Sequence, residues 1–172
     1  MKTYFLLINT IMALLLISCK VSAQATATAG ANATIIAPIT IVKNVEMNIG
    51  NVAVSASTAG TVVLSPAGSR TTGGAGGVTL PSTSGTVSGA DFTVSGQASY
   101  AFAITLPLLA TISNGSNTMM MTSFTSSPAL TGALSGSGLQ DLKVGATLNV
   151  VAGQAAGTYT NATAVPVTVN YN

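Results

Sequence analysis

The sequence has 172 residues, of which 48% are apolar and only 5% are charged, and its formal net charge is +2. It contains no histidine and no tryptophan. Because Ser-His-Asp and Cys-His constellations and histidine-ligated metal sites all need histidine, the composition excludes these classes of catalytic centre.

The first 23 residues have the features of a secretory signal peptide. A basic start at Lys2 precedes an almost entirely apolar run over residues 4–17. This run is shorter than the roughly 20 residues that a membrane-spanning helix needs, so a membrane anchor is the less favoured interpretation. Residues 21–23 are Val-Ser-Ala, a suitable end for a signal sequence, which predicts cleavage between Ala23 and Gln24.

An alternative processing route centres on Cys19. Residues 16–19, Leu-Ile-Ser-Cys, resemble the bacterial lipobox, in which the cysteine is lipidated and becomes the new N-terminus. A lipidated Cys19 would anchor the domain to a membrane, because acyl chains contribute about 0.8 kcal/mol per buried methylene. We favour ordinary cleavage after Ala23, and expect membrane attachment only for the lipidated form.

Removal of the signal changes the charge balance. Lys2 and Lys20 are lost, so three basic residues face three acidic ones and the net charge of the mature chain is zero. Nucleic-acid binding needs clustered Lys and Arg, which this chain lacks, so we expect no nucleic-acid partner. Cleavage after Ala23 also removes the one cysteine, so stability must come from burial and backbone pairing rather than from a disulfide.

The mature chain, residues 24–172, has the pattern of a single all-β domain. Threonine, valine, isoleucine and glycine dominate, and short alternating segments separated by Gly, Ser, Pro and Asn predict an antiparallel sandwich or barrel. The predicted strands, in chain order, span residues 25–36, 39–45, 47–54, 60–65, 78–80, 92–94, 100–106, 111–112, 118–124, 142–151 and 158–171. The predicted strands on either side of Gly96, residues 92–94 and 100–106, are either two separate strands or one long strand with a bulge. Residues 72–77 and 130–138 are predicted loops.

Three consecutive methionines, at positions 119, 120 and 121, raise the question of a soft-metal site. Consecutive residues of a strand point to opposite faces, so the three sulfurs cannot converge on one ion. We therefore predict that they pack in the core.

The remaining polar residues give no catalytic pattern. Glycosidase chemistry needs two carboxyl groups within roughly 5–10 Å, whereas Glu46, Asp91 and Asp141 are scattered along the chain. Asp91 is expected to cap a turn, and Lys43 to pair with Glu46. Residues 72–77 lack the lysine and the following helix of a phosphate loop. We expect no catalytic residue, no cofactor, no metal and no small-molecule substrate.

Several stretches resemble a family of secreted bacterial proteins grouped as domain of unknown function 4402. They are ATATAGANATIIAPITI, MNIGNVAVSASTAGTVVLSPAGSR, DFTVSGQASYAFAITLP, LKVGATLNVVAGQAAGTYT and VTVNYN. That family is similar to fimbrial major subunits of the Mat/common-pilus type. The resemblance implies an immunoglobulin-like, pilin-like β-sandwich, exported to the surface or periplasm of a bacterium, and a polymerising subunit. It transfers no catalytic residue, and the lack of a cysteine pair departs from many chaperone–usher pilins.

The mature N-terminus offers a segment for strand exchange between copies. In an extended chain one face carries Ala25, Ala27, Ala29, Ala31, Ala33 and Ile35, and such a segment can complete another subunit's sheet. The alternative, which we favour slightly, is that residues 25–36 pair within their own domain, because alanine buries little apolar area. Pro166 donates no backbone hydrogen bond, so we expect it at a sheet edge, at a bulge or at the start of the last predicted strand.

Three functions remain in competition. The first is a non-catalytic structural or adhesive surface subunit that pairs with itself or with other surface subunits. The second is a monomeric module that binds a glycan or protein through loops 66–77 and 131–141, which Tyr100 or Tyr159 exposed in a groove would favour. The third is a lipoprotein anchored at Cys19.

Overall fold

The computed structural model describes residues 23–161 and 165–172, and its regular elements are twelve β-strands. The predicted signal sequence, with Cys19, lies outside the described residues. The strands are β1 (Thr40–Val45), β2 (Ala53–Val54), β3 (Gly60–Leu64), β4 (Arg70–Gly73), β5 (Val78–Thr79), β6 (Ala90–Ser95), β7 (Ala101–Thr105), β8 (Leu109–Asn114), β9 (Asn117–Ser127), β10 (Thr131–Ala133), β11 (Leu139–Val150) and β12 (Thr168–Tyr171).

The long strand β11 organises the larger sheet. Its first half, Leu139 to Val144, pairs with β6, and its second half, Ala146 to Val150, pairs with β3. Strand β9 pairs with β11 across Lys143 to Asn149, and therefore lies on the opposite edge. Strands β1, β4 and β8 extend the sheet beyond β6, β3 and β9 respectively. All these pairings are antiparallel.

Gly145 marks the point at which β11 changes partner from β6 to β3. A Cβ atom there would collide with the backbone carbonyl of Leu64, and the register with β9 shifts between Gly145 and Thr147. Because the obstacle is backbone rather than a flexible side chain, only glycine fits this crossing point without a shift of the chain.

A second sheet of three strands, in the order β10-β7-β12, completes the sandwich. Phe102 and Ile104 of β7 are buried, and they belong to one core cluster with Phe92 and Val94 of β6 and Leu142 of β11. This core follows from the period of two along each strand, which turns alternate apolar side chains inward. The chain is thus an all-β sandwich, as its sequence predicts.

A second core cluster lies around the other half of β11. It contains Val62, Val78, Ala110, Met121, Ala146, Leu148 and Val150, with partly buried side chains that include Met47, Ile49, Ile112 and Met119 packed against it. The two-stranded sheet of β2 and β5 is next to this cluster, since Val78 belongs to it and Val54 packs on it. The two clusters therefore divide the core between the two halves of β11.

Several predicted elements differ from the observed ones. No strand precedes Thr40 in the part of the chain that the structure describes, so the first strand predicted at residues 25–36 is wrong. Residues 47–52 form no ladder, because their backbone groups bond to loops 83–88 and to Arg70 instead. The segment predicted as a strand over 158–171 is a strand only at Thr168–Tyr171 within the described residues.

The two predicted loops contain strands. Residues 72 and 73 end β4, and residues 131–133 form β10, whose Gly132 lies against the ring of Phe102. Asp91 is a residue of β6 and not a turn cap, since its carboxylate lies 3.6 Å from the Lys143 ammonium. Around Gly96 the structure has the two separate strands β6 and β7 rather than one bulged strand.

Candidate functional site

The predicted cleavage site and the predicted strand-exchange face lie in an exposed segment without regular secondary structure. The chain divides into two units, Met1–Ile35 and Ile36–Asn172. The described part of the first unit includes Ala23, Gln24 and the six residues of the predicted strand-exchange face. None of these residues is in regular secondary structure, all are exposed, and Ile35 is 97% exposed. Their backbone and side chains are therefore available to pair with another chain.

The second unit contains an apolar groove of about 1050 Å³. Ligand-binding clefts typically measure about 300–1,000 Å³, so this opening is large enough to hold a ligand or part of another chain. It reaches three buried members of the second core cluster, Met121, Leu148 and Val150. The other large aliphatic, methionine and phenylalanine side chains that line it are Met47, Ile49, Val52, Val54, Phe92, Ile112, Met119 and Val165.

The hairpin of β8 and β9 supplies one side of the groove. Its two-residue loop, Gly115-Ser116, joins Asn114 to Asn117, and Gly115 has the positive φ that a tight hairpin loop requires. The alternation of β9 then turns Met119 and Met121 to the groove side and leaves Met120 48% exposed. The methionine run therefore alternates between faces, as predicted, but the prediction that all three pack in the core is wrong for Met120; Met119 and Met121 pack in the second core cluster and line the groove.

Residues 47–52 supply the opposite side and are held by side chains rather than by a strand ladder. The guanidinium of Arg70 donates to the carbonyl oxygens of Ile49 and Asn51 at 2.6 and 2.9 Å. Asn48 exchanges two backbone hydrogen bonds with Ser88. These bonds fix the segment so that Met47, Ile49 and Val52 face the groove without closing it.

Residues 154–161, which we call the strap, form the remaining wall. Within the strap, the Tyr159 hydroxyl donates to the carbonyl of Ala155 and accepts from the Gln154 amide at 2.7 Å. Thr160 exchanges two backbone hydrogen bonds with Ser113 of β8, at 2.9 and 3.1 Å. The strap thus crosses the outer edge of β8 at a single β-bridge.

Charged groups are confined to the rim of the groove. Lys43 and Glu46 line it and form the expected ion pair, which is exposed to solvent. In the part of the chain that the structure describes, no three His, Cys, Asp or Glu residues come together in a group that could hold a metal ion. The lining combines the apolar side chains with uncharged polar residues, among them Asn48, Asn51 and Gln154.

The groove was not predicted from sequence. The alternation of Met47 and Ile49 with polar or small residues indicates a strand, and only the structure reveals that this segment has no neighbouring strand in a ladder. Of the two tyrosines singled out, Tyr159 lines the groove, whereas Tyr100 is 44% exposed and packs edge-on against Tyr171. The signal that could have indicated an opening is the strap sequence, QAAGTYTN, which has one large side chain in eight residues.

Residues 23–161 and 165–172 include no helix long and apolar enough to span a bilayer. No curated protein and no solved structure matches the chain. A family model described as domain of unknown function (DUF4402) matches residues 39–171, which cover most of the sequence, the sandwich, the groove and the strap. The chain therefore belongs to the DUF4402 family.

Proposed function

We propose that this protein is a non-catalytic, exported surface subunit that assembles with copies of itself by strand complementation, in the manner of a fimbrial subunit. The observation that carries the proposal is the apolar groove of about 1050 Å³ that opens onto the second core cluster. Exposed apolar surface of this kind marks a binding site, and a strand with alternating side chains is a shape that fits it.

The proposed occupant is the N-terminal segment, residues 24–36, of a second copy. An extended segment of this length spans roughly 40 Å at about 3.3 Å per residue, longer than the six-residue β8 beside the groove. Its alanine face is narrow, with Ile35 as the one large side chain among the alternating positions 25–35. Such a segment gives register through alternate side chains and affinity through backbone hydrogen bonds.

The charge balance supports association between identical chains. The mature chain has three basic and three acidic residues, so copies approach without a net repulsion to overcome. Exposed charges contribute little to affinity. Assembly would depend on burial of apolar surface, at roughly 25 cal/mol per Å².

A pair of matched substitutions tests the proposal on the mature chain, residues 24–172. Ile35→Asp places a charge on the face that enters the groove, whereas Thr34→Asp places the same charge on the opposite face. We expect the parent chain and Thr34→Asp to form filaments or multimers, and Ile35→Asp to remain monomeric. Size-exclusion chromatography with light scattering, and electron microscopy of negatively stained samples, measure this.

Two results would contradict the proposal. One is a parent chain that stays monomeric at every concentration and in electron micrographs of the cell surface. The other is an Ile35→Asp chain that assembles as well as Thr34→Asp. A groove that retains an apolar small molecule, in a chain that does not assemble, would instead indicate a monomeric binding module.

A further inference from the structure

The outer edge of β8 is the part of the groove at which an incoming strand would find backbone partners. β8 pairs with β9 along one edge, from Leu109 to Asn114. On its other edge, among the described residues, the sole backbone pairing is the bridge between Ser113 and Thr160. Residues two apart on a strand direct their backbone groups to the same side, so Leu109, Thr111 and Ser113 face this edge.

The strap occupies that edge. Besides the bridge, the Asn161 amide donates to the carbonyl of Thr111 at 2.8 Å, and the Gln154 amide donates to the carbonyl of Thr118 at 3.3 Å. No residue of the strap is buried, and only Gln154 and Tyr159 are half-buried.

Segments with little buried apolar area and with exposed hydrogen bonds open at a low free-energy cost. The neighbouring ladder has more backbone pairing and more buried side chains than the strap, since β9 and β11 pair over residues 143–149 of β11 and bury Met121 and Leu148. The strap should therefore open while the sheet beneath it remains intact.

From this arrangement we infer that the strap is a displaceable cover of the acceptor edge: residues 154–161 close β8 in the free subunit, and the N-terminal segment of a second copy replaces them along β8. The inference rests on the proposed function, and it adds the strand edge that accepts the segment and the element that regulates access to it.

Among the described residues, the replacement would exchange the Ser113–Thr160 bridge and the Asn161–Thr111 side-chain bond for a strand ladder. A segment paired along β8 would engage the outward backbone groups of Leu109 and Thr111 as well as those of Ser113. It would also place alternate side chains over Ile112 and Met119, which line the groove. The strap presents one large side chain to the groove, the half-buried Tyr159, whereas residues 155–157 (Ala-Ala-Gly) provide little apolar area. An incoming isoleucine from position 35 would therefore add buried apolar area that residues 155–157 do not provide.

A disulfide that locks the strap tests the inference. Ser113 and Thr160 form a hydrogen-bonded antiparallel pair, whose Cα atoms are about 5.5 Å apart in standard geometry, within the range that a disulfide spans. The strap variant, Ser113→Cys with Thr160→Cys, is made in the mature chain carrying Ile35→Asp, which cannot act as donor. No other cysteine is present in residues 24–172. The matched control, Ser113→Cys with Thr118→Cys in the same chain, joins β8 to β9 and leaves the strap free.

The probe is a fluorescent peptide of residues 24–36, and binding is measured by fluorescence polarisation with the disulfide oxidised and then reduced. Locking the closed state removes the binding-competent fraction, so we expect the oxidised strap variant to bind at least about tenfold more weakly than its reduced form. The β8–β9 control should bind equally in both redox states. Equal binding by the oxidised and reduced strap variant would overturn the inference and leave the proposed function standing.

Hydrogen exchange in the parent domain gives a test that needs no engineered disulfide. The amides of Ser113 and Thr160 should exchange at least about tenfold faster than those of Met121 and Leu148, since they open with the strap rather than with the sheet. Equal protection would show that the strap opens only with the sheet, and would overturn the inference. If the peptide binds no redox form of either variant and the parent chain does not assemble, the proposed function fails, and the inference with it.

Discussion

Tyr171 joins the last strand to the beginning of the second unit. Its hydroxyl accepts a hydrogen bond from the backbone N–H of Gln97 at 2.6 Å and donates one to the backbone carbonyl of Ala37 at 2.9 Å. One side chain thereby connects three segments that are distant in sequence. The alternation of the last residues predicts that Tyr171 belongs to a strand, but it does not predict these partners, because Gln97 lies 74 residues away.

Tyr171→Phe tests this connection. Removal of the hydroxyl leaves the backbone N–H of the half-buried Gln97 without its hydrogen-bond acceptor. We therefore expect the free energy of unfolding to fall by about 1–3 kcal/mol. The control is Tyr100→Phe, which keeps the edge-on contact between the two rings; Tyr100 is 44% exposed, and its hydroxyl makes no hydrogen bond among the described residues. Urea denaturation measures both, and equal midpoints for the two variants would contradict the role given to the Tyr171 hydroxyl.

At the scale of elements, periodicity predicted strands where side chains alternate between core and solvent. It succeeded for β6, β7 and the β8–β9 hairpin. It failed at β10, because Gly132 is typical of a loop although its lack of a side chain leaves room for the Phe102 ring. It also failed at residues 47–52, whose alternation is real but whose backbone partners are loops and Arg70. Such pairings are set by distant residues, which local patterns do not contain.

Strand β11 allows a matched comparison of a buried and an exposed leucine. Leu142 is fully buried in the first core cluster, whereas Leu139, three residues earlier, is 49% exposed. We expect Leu142→Ala to lower the free energy of unfolding by about 2–5 kcal/mol through lost burial and a residual cavity. Leu139→Ala should cost less than about 1 kcal/mol. Similar losses for the two variants in urea denaturation would contradict the assigned position of β11 in the core.

At the scale of the whole molecule, composition predicted a single all-β domain without disulfides, and the fold confirmed the all-β sandwich. The groove was not predicted because it forms where residues 47–52 have no neighbouring strand in a ladder. The alternating apolar residues of β8 and of residues 47–52 suggest ordinary core packing, and only the positions of these segments and of the strap together leave the space open. A sequence pattern indicates which side chains are apolar enough to be buried, but it does not indicate whether another segment packs over them.

Trypsin digestion tests the compactness of the mature chain, whose basic residues are Lys43, Arg70 and Lys143. All three lie in strands, and cleavage of a paired strand requires its opening. We expect the native chain to survive conditions that fully digest the urea-unfolded chain. The positive control is Ala156→Lys, which puts a cleavage site in the exposed strap and should be cut there. Rapid cleavage of the parent chain after Lys143 would contradict the fold.

The continuous sheet from β1 to β8 has a mechanical consequence. In a fibre built as proposed, tension from one neighbour enters just ahead of β1, through the N-terminal segment, and tension from the other enters beside β8. Between these two strands lie β6, β11 and β9, each joined to the next by an antiparallel ladder. A pulling force is therefore carried across the sheet through β11, and the Gly145 crossing, where β11 changes partners, lies on the path of the load.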